Sequence, residues 1–196
     1  MGHPIAVARM TMKYRPEIDG LRAVAVVPVV LLHAGVPGDT GGIVGVDVFF
    51  VISGYLITSI LLSDLQAGRF SLAQFYERRA RRILPALFFV ILCCLPLAWA
   101  WMLPQELMDF GRSIAATALF SSNVLFWRET GYFSAASELK PLLHTWSLAV
   151  EEQYYLFAPL LIAVIWRWWR PTLLLCLSVI ALASLALAVY GADHHP

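Results

Sequence analysis

Five stretches of the chain, at 18–34, 43–62, 83–103, 144–166 and 171–190, stay apolar for close to the roughly 20 residues that a helix needs to cross about 30 Å of hydrocarbon. Lipid offers no hydrogen bonds, so each stretch must satisfy its backbone internally, as a helix does. Composition agrees: 60% of the residues are hydrophobic and 14% charged, with mean hydropathy +0.72, whereas soluble domains carry about 25% charged residues. The chain reads as an all-α integral membrane protein, a polytopic helical bundle of about five spans without a soluble domain. A net charge of +1 gives no footprint for nucleic acid.

Turn signals separate the spans, namely Gly35-Val36-Pro37-Gly38-Asp39-Thr40-Gly41-Gly42 and Ala67-Gly68-Arg69. Residues 1–13 read as an extension in which Met10 or Met12 can also serve as a start, 14–191 as a membrane domain and 192–196 as a tail. No small-residue cleavage site follows the first apolar run, so that run reads as a retained signal anchor. Cys93, Cys94 and Cys176 lie in apolar runs and read as packing thiols.

Basic residues set the expected orientation. Lys13, Arg15 and Arg22 lie at the entry to the first span, and Arg69, Arg78, Arg79, Arg81 and Arg82 lie between the second and third, so both flanks and the N-terminus are expected in the cytoplasm. The weaker apolar segment 110–127 holds Arg112 and Ser121-Ser122-Asn123. If it crossed fully, Arg167 and Arg170 would fall outside, against the positive-inside bias. It is therefore expected to re-enter or to be partly buried.

Ionisable groups inside hydrocarbon are costly and mark function. Arg22 and His33 stand eleven residues apart, about 20° past three full helical turns, so they share a face and lie about 16 Å apart along the axis. A neutral imidazole can accept a hydroxyl proton, and a carboxylate such as Asp47, expected at a similar depth in Gly45-Val46-Asp47, can fix its tautomer; a helix cap is the alternative role for Asp47. In His144-Thr145-Trp146-Ser147-Leu148-Ala149-Val150-Glu151-Glu152-Gln153-Tyr154-Tyr155, the spacing puts His144, Glu151 and Tyr155 near one face. At least one of the two adjacent glutamates should face the interior with a cationic or hydrogen-bonding partner. The run Phe75-Tyr76-Glu77-Arg78-Arg79-Ala80-Arg81-Arg82 suits a polyanionic ligand, since a guanidinium binds phosphate oxygens in pairs; anchoring to anionic lipid is the plainer reading. The spacing of His33, Asp47, His144 and Glu151 matches no diagnostic metal site, and none is expected.

Taken together, Tyr14-Arg15-Pro16-Glu17-Ile18-Asp19-Gly20-Leu21-Arg22-Ala23, the ten residues between Arg22 and His33, the segment GVDVFFVISGYLIT, then FYERRARRILPAL and HTWSLAVEEQYYLFAPLL resemble the acyltransferase type 3 family of membrane O-acyltransferases over about 14–170. The resemblance implies transfer of an acyl group, often acetyl from acetyl-CoA, to a hydroxyl of an extracytoplasmic carbohydrate such as lipopolysaccharide, peptidoglycan or exopolysaccharide, at the inner (plasma) membrane. It implies acyl-CoA as a donor substrate and no bound cofactor. By the same resemblance, Arg22 and His33 match the family's Arg-x10-His pair, Arg79 and Arg82 its cytoplasmic Arg-x-x-Arg, and Glu151 the glutamate of its WSLxVExQ motif. The expected roles are His33 as general base, Asp47 or Glu151 orienting it, and Arg22, Arg79 and Arg82 toward the donor. His144, Trp146 and Tyr155 are expected on the acceptor side. Direct transfer and a covalent intermediate both stay open. The family has about ten spans, so the chain resembles its N-terminal half and is expected to be such an enzyme or an incomplete fragment of one. The competing class is a transporter or channel-like subunit with a proton or anion path through Arg22, His33 and Glu151.

Overall fold

The computed structural model describes residues 16–36, 42–129 and 140–194, and every regular element among them is a helix. These are α1 (Pro16–His33), α2 (Gly42–Gln66), α3 (Leu72–Trp101), α4 (Pro104–Ala118), α5 (Ser122–Arg128), α6 (Thr145–Trp169) and, after a single 3-10 turn at Arg170–Thr172, α7 (Leu173–His194). Among the described residues, four stretches are long and apolar enough to cross a membrane: Val44–Gln66, Leu72–Trp101, Thr145–Trp168 and Leu173–Gly191. The protein is a multi-pass membrane protein.

That set differs from the five expected spans at two places. α1 has 18 residues and carries Glu17, Asp19 and Arg22 in its first two turns, so its apolar part is shorter than a full span. α3 starts at Leu72 rather than at 83, because Ser71 caps it: the Ser71 hydroxyl accepts a hydrogen bond from the Gln74 amide at 3.4 Å. The arginine run is therefore helical, and its side chains are sorted onto faces.

The segment 110–127 is broken. α4 opens with Pro104 in its first turn and with the Glu106 carboxylate accepting from the Leu103 amide at 2.8 Å. It ends in a Schellman motif: Phe120 N donates to Thr117 O at 3.1 Å and Ser121 N to Ala116 O at 2.8 Å. Gly35 and Gly68 close α1 and α2 in the same way with φ of 69° and 64°, but here the left-handed residue is Phe120, at φ 51°. A non-glycine there costs about 1 kcal/mol or more. With 15 and 7 residues, neither α4 nor α5 is long enough to span.

The chain divides into two compact units, 1–60 and 61–196. In the first, α1 and α2 pack antiparallel and very closely. A Cβ placed on Gly45 would collide with the Ala25 carbonyl and lie 3.0 Å from Val29 Cγ2, and one on Gly42 would lie 2.7 Å from Leu32 Cβ. Small residues permit such backbone-to-backbone approach, on which membrane helix packing relies. In the second unit, Ala98 of α3, Phe110 of α4 and Leu142 before α6 form an apolar cluster. Below it lies a buried hydroxyl network: Thr117 and Thr145 hydroxyls are 3.0 Å apart, Thr145 donates to Leu142 O at 2.7 Å, and Ser122 donates to Thr145 O at 2.9 Å. These bonds tie α4, α5 and α6 together where water cannot satisfy them. By contrast, only 6% of the spanning window of α7 is buried, and its leucines and valines face outward as a lipid-facing helix would.

Candidate functional site

Helical phase divides the four arginines of α3. Arg81 pairs with Glu77 at 2.7 Å at exposed positions, and exposed Arg78 pairs with half-buried Asp64 of α2 at a loose 3.7 Å; such pairs contribute little. Arg79 turns the other way. It is half-buried, and its guanidinium lies over the Tyr155 ring at 5.1 Å and the Phe75 ring at 5.8 Å, an arrangement that stabilises a cation without neutralising it. Arg82, one turn on, is exposed.

Arg79 lines a cavity of about 240 Å³ between α3, the α4–α5 break and α6. Apolar walls come from Ile83, Leu84, Leu119 and Leu156, and polar groups from Tyr76, Glu152 and Gln153. The Tyr76 hydroxyl donates to Leu156 O at 2.8 Å and fastens α3 to α6. On α6, the Tyr155 hydroxyl donates to the Glu151 carboxylate, one turn apart, which holds the ring beneath Arg79. Glu152 also lines the cavity, and its Oε1 is shielded and without a hydrogen-bond partner among the described residues.

The broken α4–α5 segment belongs to the wall. Gln153 Nε2 donates to Phe120 O at 2.9 Å and to Asn123 Oδ1 at 3.0 Å, and Asn123 Nδ2 donates back to Gln153 Oε1 at 3.2 Å. This reciprocal amide clasp satisfies the carbonyl that the left-handed turn frees. Irregular backbone at membrane depth is tolerated where it is buried or lines a cavity, and Phe120 does line this one.

In the first unit, Arg22 lies over the Phe49 ring at 5.2 Å. His33 Nδ1 is 2.7 Å from Val29 O. A carbonyl can only accept, so Nδ1 carries the hydrogen, and the neutral form of the ring is the tautomer with its lone pair on Nε2. Asp47 is exposed, and the register does not bring it to His33. The contacts of Gly45 with Ala25 and Val29, and of Phe49 with Arg22, set Asp47 level with about Ala25, roughly 12 Å along the axis from His33 at 1.5 Å per residue.

The expected face of His144, Glu151 and Tyr155 is only partly formed. α6 begins at Thr145, so His144 sits in the preceding turn, exposed, where its carbonyl accepts from the Ser147 hydroxyl at 3.1 Å. Trp146 occupies the first turn and is 40% exposed. Three polar residues of the cavity are not evident as site residues in the sequence, Tyr76, Glu152 and Gln153, and neither is Asn123, which holds Gln153 in place. Glu152 and Gln153 sit inside the quoted motif, and their i, i+1 placement beside Glu151 signals that they face a different side of α6 from it.

No solved structure matches the chain. Among sequence relatives, it is 37% identical over 183 residues to the O-acetyltransferase OatA of Staphylococcus aureus (strain NCTC 8325 / PS 47), covering 90% of this chain and 30% of that protein. It is 38% identical over 180 residues to the peptidoglycan O-acetyltransferase OatA of Listeria monocytogenes serovar 1/2a, covering 91% and 29% respectively. The chain thus spans less than a third of the length of these relatives. The model of a family described as an acyltransferase domain matches residues 15–190, a range that contains the arginine cavity, the Arg22 and His33 helix and the broken segment alike, and the chain therefore belongs to the acyltransferase type 3 family.

Proposed function

We propose that this chain serves the transfer of an acetyl group from acetyl-CoA, taken from the cytoplasmic side of the plasma membrane, to a hydroxyl of an extracytoplasmic carbohydrate. The name of the Listeria monocytogenes relative makes peptidoglycan the acceptor of choice. The observation that carries the donor half is Arg79: a half-buried guanidinium stacked on two aromatic rings and facing a largely apolar cavity. Such a group offers its N–H donors to phosphate, while the walls suit the methylene and methyl groups of the thioester's arm. Arg82, one turn away and exposed, adds a second cation on the same helix.

In the acyl step, His33 Nε2 takes the proton of the acceptor hydroxyl. The hydroxyl oxygen bonds to the thioester carbonyl carbon, the carbon–sulfur bond breaks, and the imidazolium returns the proton to the CoA thiolate. A route through an acyl-histidine would use the same Nε2 lone pair, which the bond from Nδ1 to Val29 O leaves available. Glu151 serves this reaction as a positioning residue, holding Tyr155 under Arg79. Asp47, at the level of Ala25, has no place in the proposed chemistry.

The test is incorporation of labelled acetyl from acetyl-CoA into cell-wall glycan by membranes containing the protein. His33→Ala should lower incorporation by about 10² or more, the usual contribution of a general base, with insertion in the membrane unchanged. Normal transfer by that variant removes His33 from the chemistry.

A further inference from the structure

We propose that Glu152 is a specificity-determining contact of the Arg79 cavity, accepting a hydrogen bond from an N–H of the ligand's amide-bearing arm; this rests on the donor reading above. Two observations meet here. Glu152 Oε1 is removed from solvent and has no hydrogen-bond partner among the described residues, a condition that costs free energy unless something else supplies a donor. Arg79 lines the same cavity, yet its guanidinium lies over Tyr155 and Phe75, and no ion pair joins it to Glu152 among the described residues.

A carboxylate and a guanidinium that line one space of about 240 Å³ without closing on each other offer complementary functions: the cation takes an anion, and the carboxylate takes a donor. The side chains around them are fixed. The N–H donors of Gln153 are spent on Asn123 and Phe120 O, the Tyr76 hydroxyl donates to Leu156 O, and the Tyr155 hydroxyl donates to Glu151. Glu152 is the charged acceptor of this lining, and its shielded Oε1 has no hydrogen-bond partner among the described residues with which to offset its burial. Its walls, Ile83, Leu84, Leu119 and Leu156, suit methylene and methyl groups. A chain of methylenes interrupted by secondary amides and ending in phosphate carries all three features, and the pantetheine arm of CoA is such a chain.

The experiment compares two probes on membranes containing the protein: CoA, which has the amide arm, and adenosine 3′,5′-bisphosphate, which has phosphates but no arm. Glu152→Ala should weaken CoA binding about tenfold, the effect of one charge-assisted hydrogen bond, and leave the bisphosphate unchanged. Glu152→Gln, which keeps shape and an acceptor oxygen, should recover most of the CoA affinity and so separates lost contact from lost folding. Arg79→Ala should weaken both probes. Equal loss of both probes in Glu152→Ala, tighter binding of both, or unchanged CoA binding would overturn the inference alone; tighter binding would make Glu152 a mere counter-charge. Failure of the unaltered protein to bind CoA at all would overturn the donor reading, and the inference with it.

Discussion

At Gly45 a Cβ would meet the Ala25 carbonyl oxygen and Val29 Cγ2, whereas at Gly20, on the same pair of helices, it would meet nothing within 4 Å. The two glycines therefore make opposite predictions. Gly45→Val should destabilise the first unit by about 1–3 kcal/mol, since α1 and α2 must move apart. Gly20→Ala should be neutral or stabilising by up to roughly 1 kcal/mol through helix propensity. Thermal unfolding in detergent distinguishes them, and equal effects would remove the close crossing. In the sequence Gly45 is visible only as part of a motif, because its role depends on Ala25, twenty positions earlier. Arg79 and Arg82 stand out together only through the resemblance to the family's Arg-x-x-Arg, and what separates them, burial of Arg79 against Tyr155 while Arg82 is exposed, depends on another helix. Glu152 was read only as one of two costly glutamates, since its distinction from Glu151 lies in what each meets, Tyr155 on one side and the cavity on the other.

Among the elements, the α4–α5 break depends most on a partner. Its turn places Phe120 in a conformation suited to glycine, and the clasp of Asn123 and Gln153 holds the freed carbonyl to α6. A double-mutant cycle of Asn123→Ala and Gln153→Ala should show coupling of about 1 kcal/mol or more in unfolding free energy, because either truncation strands the other amide. Additive effects would mean that the two amides are mere neighbours. The sequence indicated that 110–127 is a poor spanning helix through its serines and Arg112, and the helices found there are indeed too short to cross. Where it breaks was not legible, since Phe120 carries no turn signal and takes the left-handed position that glycine fills at Gly35 and Gly68. The start of α3 was misplaced for a related reason: polarity was taken as the end of the apolar run, whereas the cap at Ser71 begins the helix before the arginines.

For the molecule as a whole, the class of architecture was the most legible property, because the membrane permits so few solutions for long apolar runs. The number of such runs was harder to read, and α1 is the reason. After Arg22 it has the eleven residues 23–33, interrupted by Pro28, which is well short of the roughly 20 that a lone span requires. Yet the helix is built against α2 with no space for a lipid chain at Gly42 and Gly45. This bears on how the protein is made. α1 should enter the bilayer with α2 as a helical hairpin rather than act as an anchor by itself, the second helix bringing the first across as synthesis proceeds. A chain ended after residue 41 should then be extracted from microsomes by alkaline carbonate, while one ended after residue 66 should resist it. Equal resistance would show that α1 inserts unaided, and the glycine crossing would then form only once both helices are already in the membrane.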